Sequence, residues 1–311
     1  LLGEAPAPPI SVLRASTERA CALARTGDYD KLAAVLGELV PGLEAAVRSL
    51  PPPEQPEACE LSAMAYQACS VALARLDDPM AAWVAAGRAM TAAENAGNLI
   101  LAAAGQYRLA SVFLDCSEFA LADEVARTTL TALRGLAELG DPEALSLCGV
   151  LTLVRSVIAA RTRHPESAYG HLAKARLLAS RLGTQQANGV PEFGPQYVAL
   201  YEIAVSVELG DAGHALRTAA SLDVAGLSPG RQTRLLIDVA RAYALRGQVD
   251  EATAALLRAE ELGPCHARDL TRARRVIRDL LAVRMPPPAQ LAALASRMSG
   301  GTSGGAVPGA R

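Results

Sequence analysis

The sequence predicts an all-α protein, a solenoid of about six helical hairpins closed at its C-terminal end by a further pair of helices. Three observations indicate this fold class. Residues 233–264 carry the packing pattern of a complete hairpin, five similar turns precede it, and 51% of the residues are hydrophobic although only 4% are aromatic. Alanine and leucine, which favour helices, dominate the hydrophobic residues. Because a solenoid grows by stacking hairpins, the 311 residues need no internal domain boundary.

The hairpin at 233–264 is the clearest repeat. Its packing positions are Leu236, Val239, Ala240 and Tyr243 on the first helix and Ala252, Leu256 and Ala259 on the second. Small Ala240 and Ala252 allow the two helices to approach closely, and Tyr243 and Leu256 fill the space beside them. Gly247 ends the first helix where a left-handed residue is needed, and Pro264 closes the unit. This pattern is typical of a tetratricopeptide repeat.

Five earlier turns align with the turn at 247–252. They lie at 26–32, 77–82, 116–122, 164–168 and 210–215, so that six helical pairs result. Their spacings of about 37 to about 50 residues exceed the ideal of about 34, which indicates diverged repeats with extended helices or longer loops.

The boundaries of several elements follow from proline. Asp78-Pro79, Asp141-Pro142 and Ser228-Pro229 each place an N-cap acceptor before a proline that needs no amide partner, which predicts three helix starts. Residues 50–56 form a stiff proline-rich connector between the first two pairs. The superhelical domain is expected to span 1–284, with helices at 266–284 and 287–298, a capping helix within 285–299 and a disordered tail at 300–311.

Composition favours a cytoplasmic protein without a general affinity for nucleic acid or membranes. The net charge is only -2, and no signal peptide or membrane span is visible. The cysteines, at positions 21, 59, 69, 116, 148 and 265, lie inside apolar helical patterns and are expected to be small buried residues in a reducing compartment. Because the chain begins with Leu1, we expect that an N-terminal segment precedes it.

The sequence predicts no enzyme, cofactor or metal site. Residues 301–305 satisfy the G-x-S-x-G pattern, but they lie in the tail rather than between a strand and a helix. His164 and His171 lack a third ligand at metal spacing and are expected to be solvated surface histidines.

A groove is the remaining candidate site. In tetratricopeptide repeats the second, fifth and ninth places of each first helix line the concave face. These places hold Met64, Gln67, Val71, Ala104, Tyr107, Ser111, Val150, Leu153, Val157, Tyr197, Leu200 and Ala204. Such a mostly apolar lining suits a small apolar ligand or an amphipathic peptide. Alternatively, the superhelix fills its own groove with these side chains, with Tyr107 and Tyr197 as the expected exceptions.

The predicted ligand-binding set adds neighbours of this lining. It comprises Gln67, Tyr107, Arg108, Ser111, Leu153, Val157, Phe193, Tyr197, Leu200 and Tyr201. Arg108 and Tyr201 either orient the polar end of a ligand or reach solvent. Phe193 lies in the loop 183–195, where it acts either as a lid over a ligand or as a hydrophobic anchor for the loop.

Charged residues support two further expectations. Arg155 and Glu202 occupy the seventh, normally buried place of consecutive repeats, so each should meet the other or a ligand, and we predict an ion pair between them near the floor of the groove. The arginines at 268, 272, 274, 275 and 278 are interrupted by Asp269 and Asp279 and favour a solvated capping helix. The alternative is a contact with DNA phosphates or with a further domain.

Three stretches, 65–97, 192–216 and 235–264, together resemble the C-terminal repeat domain of actinobacterial Xre-type helix-turn-helix transcriptional regulators. The resemblance spans residues 1–284. Its most specific parts are Ala82-Trp83 with Arg88, and Phe193-Gly194-Pro195 leading to 207–211; Leu1-Leu2-Gly3-Glu4 matches the end of the usual interdomain junction. Gln196 and Tyr197 depart from the small polar residues usual in the family, and Gly87 stands where an acid is common.

The resemblance implies a sensor and oligomerisation domain. Its ligand or partner would bind the concave groove, the chain would form a homodimer, and DNA would be bound only through an N-terminal domain absent from these residues. The alternative is a constitutive tetratricopeptide-repeat scaffold that holds a partner without switching.

Overall fold

The computed structural model describes residues 7–185, 191–262, 267–283 and 286–300. Within these ranges the chain forms fourteen α-helices and no strand, which confirms the predicted all-α fold class. The helices are α1 (Ile10–Thr26), α2 (Tyr29–Ser49), α3 (Gln55–Arg75), α4 (Pro79–Asn95), α5 (Leu99–Asp115), α6 (Phe119–Glu138), α7 (Pro142–Arg161), α8 (Pro165–Leu182), α9 (Pro195–Leu209), α10 (Ala212–Ser221), α11 (Pro229–Leu245), α12 (Val249–Glu261), α13 (Ala267–Val283) and α14 (Ala289–Gly300).

The helices pack as successive hairpins. Each odd-numbered helix is followed by an even-numbered partner, as in α1/α2, α3/α4, α5/α6, α7/α8 and α11/α12. The first helices α1, α3, α5 and α7 also pack on one another in that order, whereas α2, α4 and α6 each contact the first helix of the next hairpin. This arrangement is a tetratricopeptide-like helical solenoid.

The chain divides into two compact units, Leu1–Val205 and Ser206–Arg311. The sequence does not mark this division, which falls within the helical segment α9. The hydrophobic core of the first hairpin in unit 1 joins α1, α2 and α3 through buried leucines and alanines, among them Leu32, Leu43 and Ala58. The core of unit 2 joins α11 and α12 to α13 and α14.

The six predicted turns have one backbone geometry. A residue with positive φ stands immediately before the N-cap residue of the second helix: Gly27, Asp77, Ser117, Arg163, Gly210 and Gly247. The N-cap amide then donates to the carbonyl five residues earlier, as from Glu118 to Phe113 at 2.8 Å and from Gln248 to Tyr243 at 3.0 Å. This is the hydrogen bond of a Schellman ending, and it satisfies a carbonyl that the helix leaves unpaired.

Capping confirms two of the three helix starts in detail. Asp78 accepts a hydrogen bond from the amide of Ala81 at 3.0 Å, and Asp141 accepts one from Ala144 at 2.8 Å. Ser228 stands at the N-cap of α11, but its side chain makes no capping hydrogen bond. The connector predicted at 50–56 is shorter than expected, because α3 begins at Gln55 and Pro56 fits the first turn of a helix.

Helix α7 is the most deeply buried helix of unit 1. Leu145, Leu147, Leu151 and Leu153 are all at most 1% exposed. By length and composition α7 could cross a membrane, but 89% of its apolar window is buried against the rest of the described chain. A buried core helix can have the same length and apolar composition, so these two properties alone do not indicate a membrane span.

In unit 2 the described part of the hairpin at 233–264 packs largely as its sequence predicts. Leu236 and Val239 are only half-buried, whereas the neighbouring Ile237 is buried, and Pro264 lies outside the described residues. Ala240, Ala252 and Leu256 are fully buried, and Tyr243 packs against them. Helices α13 and α14 extend the same cluster through Ile277, Leu280, Leu291 and Leu294. Arg274 donates from Nε to the carbonyl oxygen of Met298 at 2.9 Å and so joins α13 to α14.

Some expectations lie outside the described residues: the junction at 1–4, the tail at 301–311 with its G-x-S-x-G pattern, and Cys265. Of the other cysteines, Cys59 and Cys148 are buried and Cys21 and Cys69 are half-buried. Cys116 is exposed, contrary to the prediction, because it is the C-cap residue of α5, next to the turn at Ser117.

Candidate functional site

Much of the predicted groove lining belongs to the core of unit 1. Leu153 is fully buried and Val157 is 8% exposed. Gln67 is also buried, and its Nε2 donates to the carbonyl oxygen of Leu101 on α5 at 3.2 Å. These three residues were predicted to bind a ligand in the groove, but the structure places their side chains in the core. They hold neighbouring hairpins together, as the self-filling alternative requires.

Phe193 is an anchor rather than a lid. It is 9% exposed, and its ring lies against the backbone of Gly149 in α7. Beside it, the hydroxyl of Ser146 donates to the carbonyl oxygen of Pro191 at 2.7 Å. The residues before α9 are thus tied to the middle of α7, and the structure favours the anchor over the lid for Phe193.

Four other predicted residues, Tyr107, Arg108, Tyr197 and Tyr201, lie together, and we call them the tyrosine-arginine cluster. The guanidinium carbon of Arg108 lies 5.1 Å from the ring centroid of Tyr107. The rings of Tyr197 and Tyr201, one turn apart on α9, are separated by 5.3 Å. A side-chain hydrogen bond joins Tyr107 to Tyr197, so the cluster bridges α5 and α9.

The remaining predicted residues frame this cluster. Ser111, one turn after Tyr107, donates from its hydroxyl to the carbonyl oxygen of Tyr107 at 2.8 Å. Leu200 is half-buried on α9, like Tyr197 and Tyr201 on either side of it. The cluster therefore combines partly accessible aromatic surface with polar groups, which is typical of small-ligand sites.

Burial dominates the electrostatics of the cluster. Burial raises the pKa of the Tyr107 hydroxyl, and the neighbouring Tyr197 raises it further, whereas the charge of Arg108 opposes the shift. The pKa of Cys21 on α1 is likewise raised by burial, against the lowering effects of Arg25 and Arg108. The Arg108 charge therefore acts on side chains of both α1 and α5, and Tyr107 stays a neutral hydrogen-bonding group.

Arg108 is the chemically unusual member of the cluster. Its Nε is buried and makes no hydrogen bond within the described residues. Among the ion pairs of the described ranges, none involves Arg108. Leaving a buried donor unpaired costs about 1–3 kcal/mol, and more for a charged group. Nε of Arg108 is therefore a buried donor without an acceptor among the described residues.

The predicted ion pair between Arg155 and Glu202 is wrong in its partners. Arg155 pairs through Nε with Asp123 of α6 at 2.6 Å, and Glu202 pairs with Nη2 of Arg176 on α8 at 2.5 Å. Each charge is thus compensated by the preceding helix in the chain. The alignment of the repeats placed the two charges correctly on α7 and α9. It compared only the first helix of each hairpin, whereas the partners lie on the second helices α6 and α8.

A pocket that the sequence did not indicate lies between α2, α3 and α4, and we call it the second-helix pocket. Its volume is about 610 Å³. It is lined by Glu44, Val47, Arg48, Cys59, Ser62, Tyr66, Val84, Gly87, Arg88, Thr91, Ala92 and Asn95. Because a helix has 3.6 residues per turn, Cys59, Ser62 and Tyr66 project from a different side of α3 than Gln67 and the rest of the predicted groove face.

A hydrogen-bonded network stands at one end of this pocket. The Tyr66 hydroxyl donates to Oε1 of Glu44, and Nη1 of Arg88 donates to the same oxygen at 2.9 Å and to the Tyr66 oxygen at 3.0 Å. Burial and the Glu44 carboxylate raise the pKa of Tyr66, and the bond to Tyr66 raises the pKa of Arg88. Arg88 belongs to the specific motif of the resemblance, which was the available sequence signal for this site.

Comparison with known proteins identifies the fold. No family model matches the chain, and no curated protein matches it. Among solved structures, the chain is similar to that of Rap protein complexed with Competence and Sporulation Factor, with a TM-score of 0.53 and 13% sequence identity. The match covers 94% of this chain and 88% of that chain. At this identity the likeness establishes a tetratricopeptide-like helical fold and leaves the activity to be inferred from the sites.

Proposed function

We propose that this chain is the sensor and oligomerisation domain of an Xre-type helix-turn-helix transcriptional regulator, and that its tyrosine-arginine cluster binds a mostly apolar small molecule or peptide. The observation that carries this proposal is the buried, unpaired Nε of Arg108 beside the buried ring of Tyr107. The expected protein is a cytoplasmic homodimer that binds DNA through a separate N-terminal domain.

The chemistry of the cluster supports one class of ligand. Aromatic faces of Tyr197 and Tyr201 provide apolar contact area, and Nε of Arg108 provides a directed donor. A ligand with an apolar body and one carboxylate or carbonyl oxygen would satisfy both. Because hydrogen bonds to charged groups contribute about 1.5–3 kcal/mol, the acceptor would contribute substantially to the affinity.

The fold provides a route from binding to regulation. Ligand contacts on α5 and α9 would favour one arrangement of neighbouring hairpins, and that arrangement would set the spacing of the two DNA-binding domains in a dimer. The ligand must bind one arrangement more tightly than the other, since equal affinity would shift nothing. Rap protein, which has a similar fold, is complexed with Competence and Sporulation Factor.

A constitutive scaffold is the second candidate. Gln67, Leu153 and Val157 are buried and so fill part of the face on which a ligand was expected. A permanently bound partner peptide that contacts only the remaining cluster would need no change of hairpin arrangement.

The deciding experiment is native mass spectrometry of the gently purified protein, followed by denaturing release of whatever it retains. We expect wild type to retain a compound with an acidic or carbonyl group, and Arg108→Gln to lose it. Arg127→Gln, at an exposed position on α6, is the matched control and should retain it. An empty wild-type protein, or equal retention by Arg108→Gln, would contradict the proposed sensor site.

A further inference from the structure

The second-helix pocket has the dimensions of a ligand site. Its volume of about 610 Å³ falls within the range of about 300–1,000 Å³ that small-molecule sites occupy. Its walls come from three helices of unit 1, α2, α3 and α4, and none of its lining residues belongs to the tyrosine-arginine cluster. Neither the fold similarity nor the proposed sensor site accounts for it.

The polar end of the pocket is organised in advance. The network of Glu44, Tyr66 and Arg88 joins α2, α3 and α4, so these three side chains are held by one another. The bonds of Arg88 within the described chain use Nη1 alone, which leaves Nε and Nη2 as a two-donor edge. That edge has the geometry that binds a carboxylate through two parallel hydrogen bonds.

The charge of the lining favours an anion. Two arginines, Arg48 and Arg88, and one acid, Glu44, line the pocket, so its net charge is positive. Oε1 of Glu44 already accepts two hydrogen bonds, from Tyr66 and Arg88. Because Glu44 and Arg88 already form an ion pair, a cationic ligand would find no uncompensated carboxylate in the lining, whereas the carboxylate of a ligand can still accept from Arg88.

Apart from Thr91 and Asn95, the remaining walls are apolar or small. Val47 and Ala92 are half-buried, and Val84 is 57% exposed although it is a large hydrophobic residue. Covering such a side chain is favourable at roughly 25 cal/mol per Å² of apolar surface. The apolar part of a ligand that lies along α4 would cover Val84.

Gly87 keeps the α4 wall open. A Cβ at Gly87 would meet nothing within 4 Å, and its φ is not positive, so neither packing nor backbone geometry requires glycine there. Glycine inside a helix is less stable than alanine by about 1 kcal/mol. The missing side chain therefore leaves space in the pocket at a position where helix stability would favour any other common residue.

We propose that the second-helix pocket binds a small amphipathic carboxylic acid, with its carboxylate on the Nε and Nη2 edge of Arg88 and its apolar body along Val47, Val84 and Ala92. Gly87 admits that body, and Tyr66 and Glu44 hold Arg88 in position. This site is independent of the tyrosine-arginine cluster, since no residue is shared between the two.

The test is isothermal titration calorimetry of the whole chain with decanoate, using 1-decanol and decylammonium as the uncharged and cationic analogues. Decanoate should bind at least about tenfold more tightly than either analogue, because the charge-assisted bidentate pair is lost in both. Failure of decanoate to bind, or equal binding of decanol, would overturn the proposed ligand class.

Substitutions in the second-helix pocket test whether decanoate binds there. Gly87→Leu should remove the decanoate binding event of the second-helix pocket, whereas Gly135→Leu, at an equally open helical glycine on exposed α6 surface, should leave that event unchanged. Thr91→Leu provides a second variant that fills the pocket. Arg88→Met should weaken decanoate at least about tenfold without weakening decanol. Unchanged decanoate binding by both pocket-filling variants would refute the site.

One further variant separates this proposal from the proposed function. Decanoate also has the apolar body and the carboxylate proposed for the tyrosine-arginine cluster, so the titration must count binding events. Arg108→Gln should keep the binding event that Gly87→Leu removes, since Arg108 lies outside the pocket. Loss of decanoate binding in Arg108→Gln alone would assign the probe to the tyrosine-arginine cluster and would exclude the second site.

Discussion

The ring of Phe193 occupies the space that a side chain on Gly149 would need: a Cβ built on Gly149 would lie 2.2 Å from Cζ of Phe193. In proteins a Cβ atom essentially never lies within 3.0 Å of a non-bonded heavy atom. Gly149 is therefore required by packing, and the chain that leads into α9 is held against α7 by one glycine and one phenylalanine.

This contact predicts that Gly149→Ala destabilises unit 1. The aromatic ring must move out of a closely packed core, which costs about 1–3 kcal/mol for an overpacked site. Thermal and urea denaturation would measure the loss. Gly135→Ala is the matched control, because its added methyl meets open space. Since alanine favours helix over glycine, this variant should raise the free energy of unfolding by up to about 1 kcal/mol. Equal stability of Gly149→Ala and wild type would contradict the contact.

The shared turn geometry predicts that Ser117→Gly stabilises the protein. Ser117 has a φ of 64°, in the left-handed region that costs a residue with a Cβ about 1–2 kcal/mol. Glycine would remove this cost, but its greater conformational freedom in the unfolded chain offsets part of the gain in stability. We therefore expect the free energy of unfolding to rise by about 1 kcal/mol. Gly210→Ala, at the equivalent turn with a φ of 83°, should destabilise by a similar amount. A Ser117→Gly protein with a lower melting temperature would contradict this assignment.

His171 predicts a pH dependence of stability. Burial, followed by the charges of Arg155 and Lys174, lowers the pKa of His171 below 6.5, although Asp123 opposes the shift. The folded state then binds fewer protons than the unfolded state, so stability is lost as the pH falls below 6.5 toward the folded-state pKa. The drop in unfolding free energy between about pH 7.5 and about pH 5.5 should be smaller in His171→Gln than in wild type. His164→Gln, at an exposed position, is the control, and identical pH profiles for His171→Gln and wild type would exclude this role.

The buried Nε of Arg108 predicts opposite effects on stability and on binding. Arg108→Met removes an unpaired donor and keeps an unbranched side chain, so the ligand-free protein should become more stable by about 1–3 kcal/mol. The same variant should lose the retained ligand. Denaturation of ligand-stripped protein, beside native mass spectrometry, would measure both. A destabilised Arg108→Met protein would instead assign Arg108 a structural role.

Local signals in the sequence predicted most of the fold. Gly247 and the five aligned turns give the hairpins, because the left-handed residue and the N-cap residue after it lie next to each other in the chain. Asp78 and Asp141 give helix starts for the same reason. The turns and helix caps depend on contacts between residues only a few positions apart. A short sequence pattern can therefore predict them directly.

The sites depend on contacts between helices and were predicted less well. Tyr66 and Gln67 are adjacent in sequence and project about 100° apart from α3, so Tyr66 contributes to the second-helix pocket and Gln67 to the predicted groove face. The repeat pattern selected only Gln67. Arg155 was expected to pair with the next first helix, but Asp123 of the preceding second helix is its partner. Arg108 and the tyrosines around it lie together, but Tyr107, which was expected to be an exception to the buried lining, is itself buried. Their role in ligand binding stays a prediction.

The repeated turn also has a consequence for how the chain folds. Each of the six predicted turns is closed by a hydrogen bond between residues five apart, and the described helices pack mainly on helices near in sequence. Such low contact order favours rapid folding, since little loop-closure entropy is lost before stabilising contacts form. The N-terminal hairpins can therefore acquire structure while later hairpins are still being synthesised, and each folded hairpin offers the next one a surface on which to assemble.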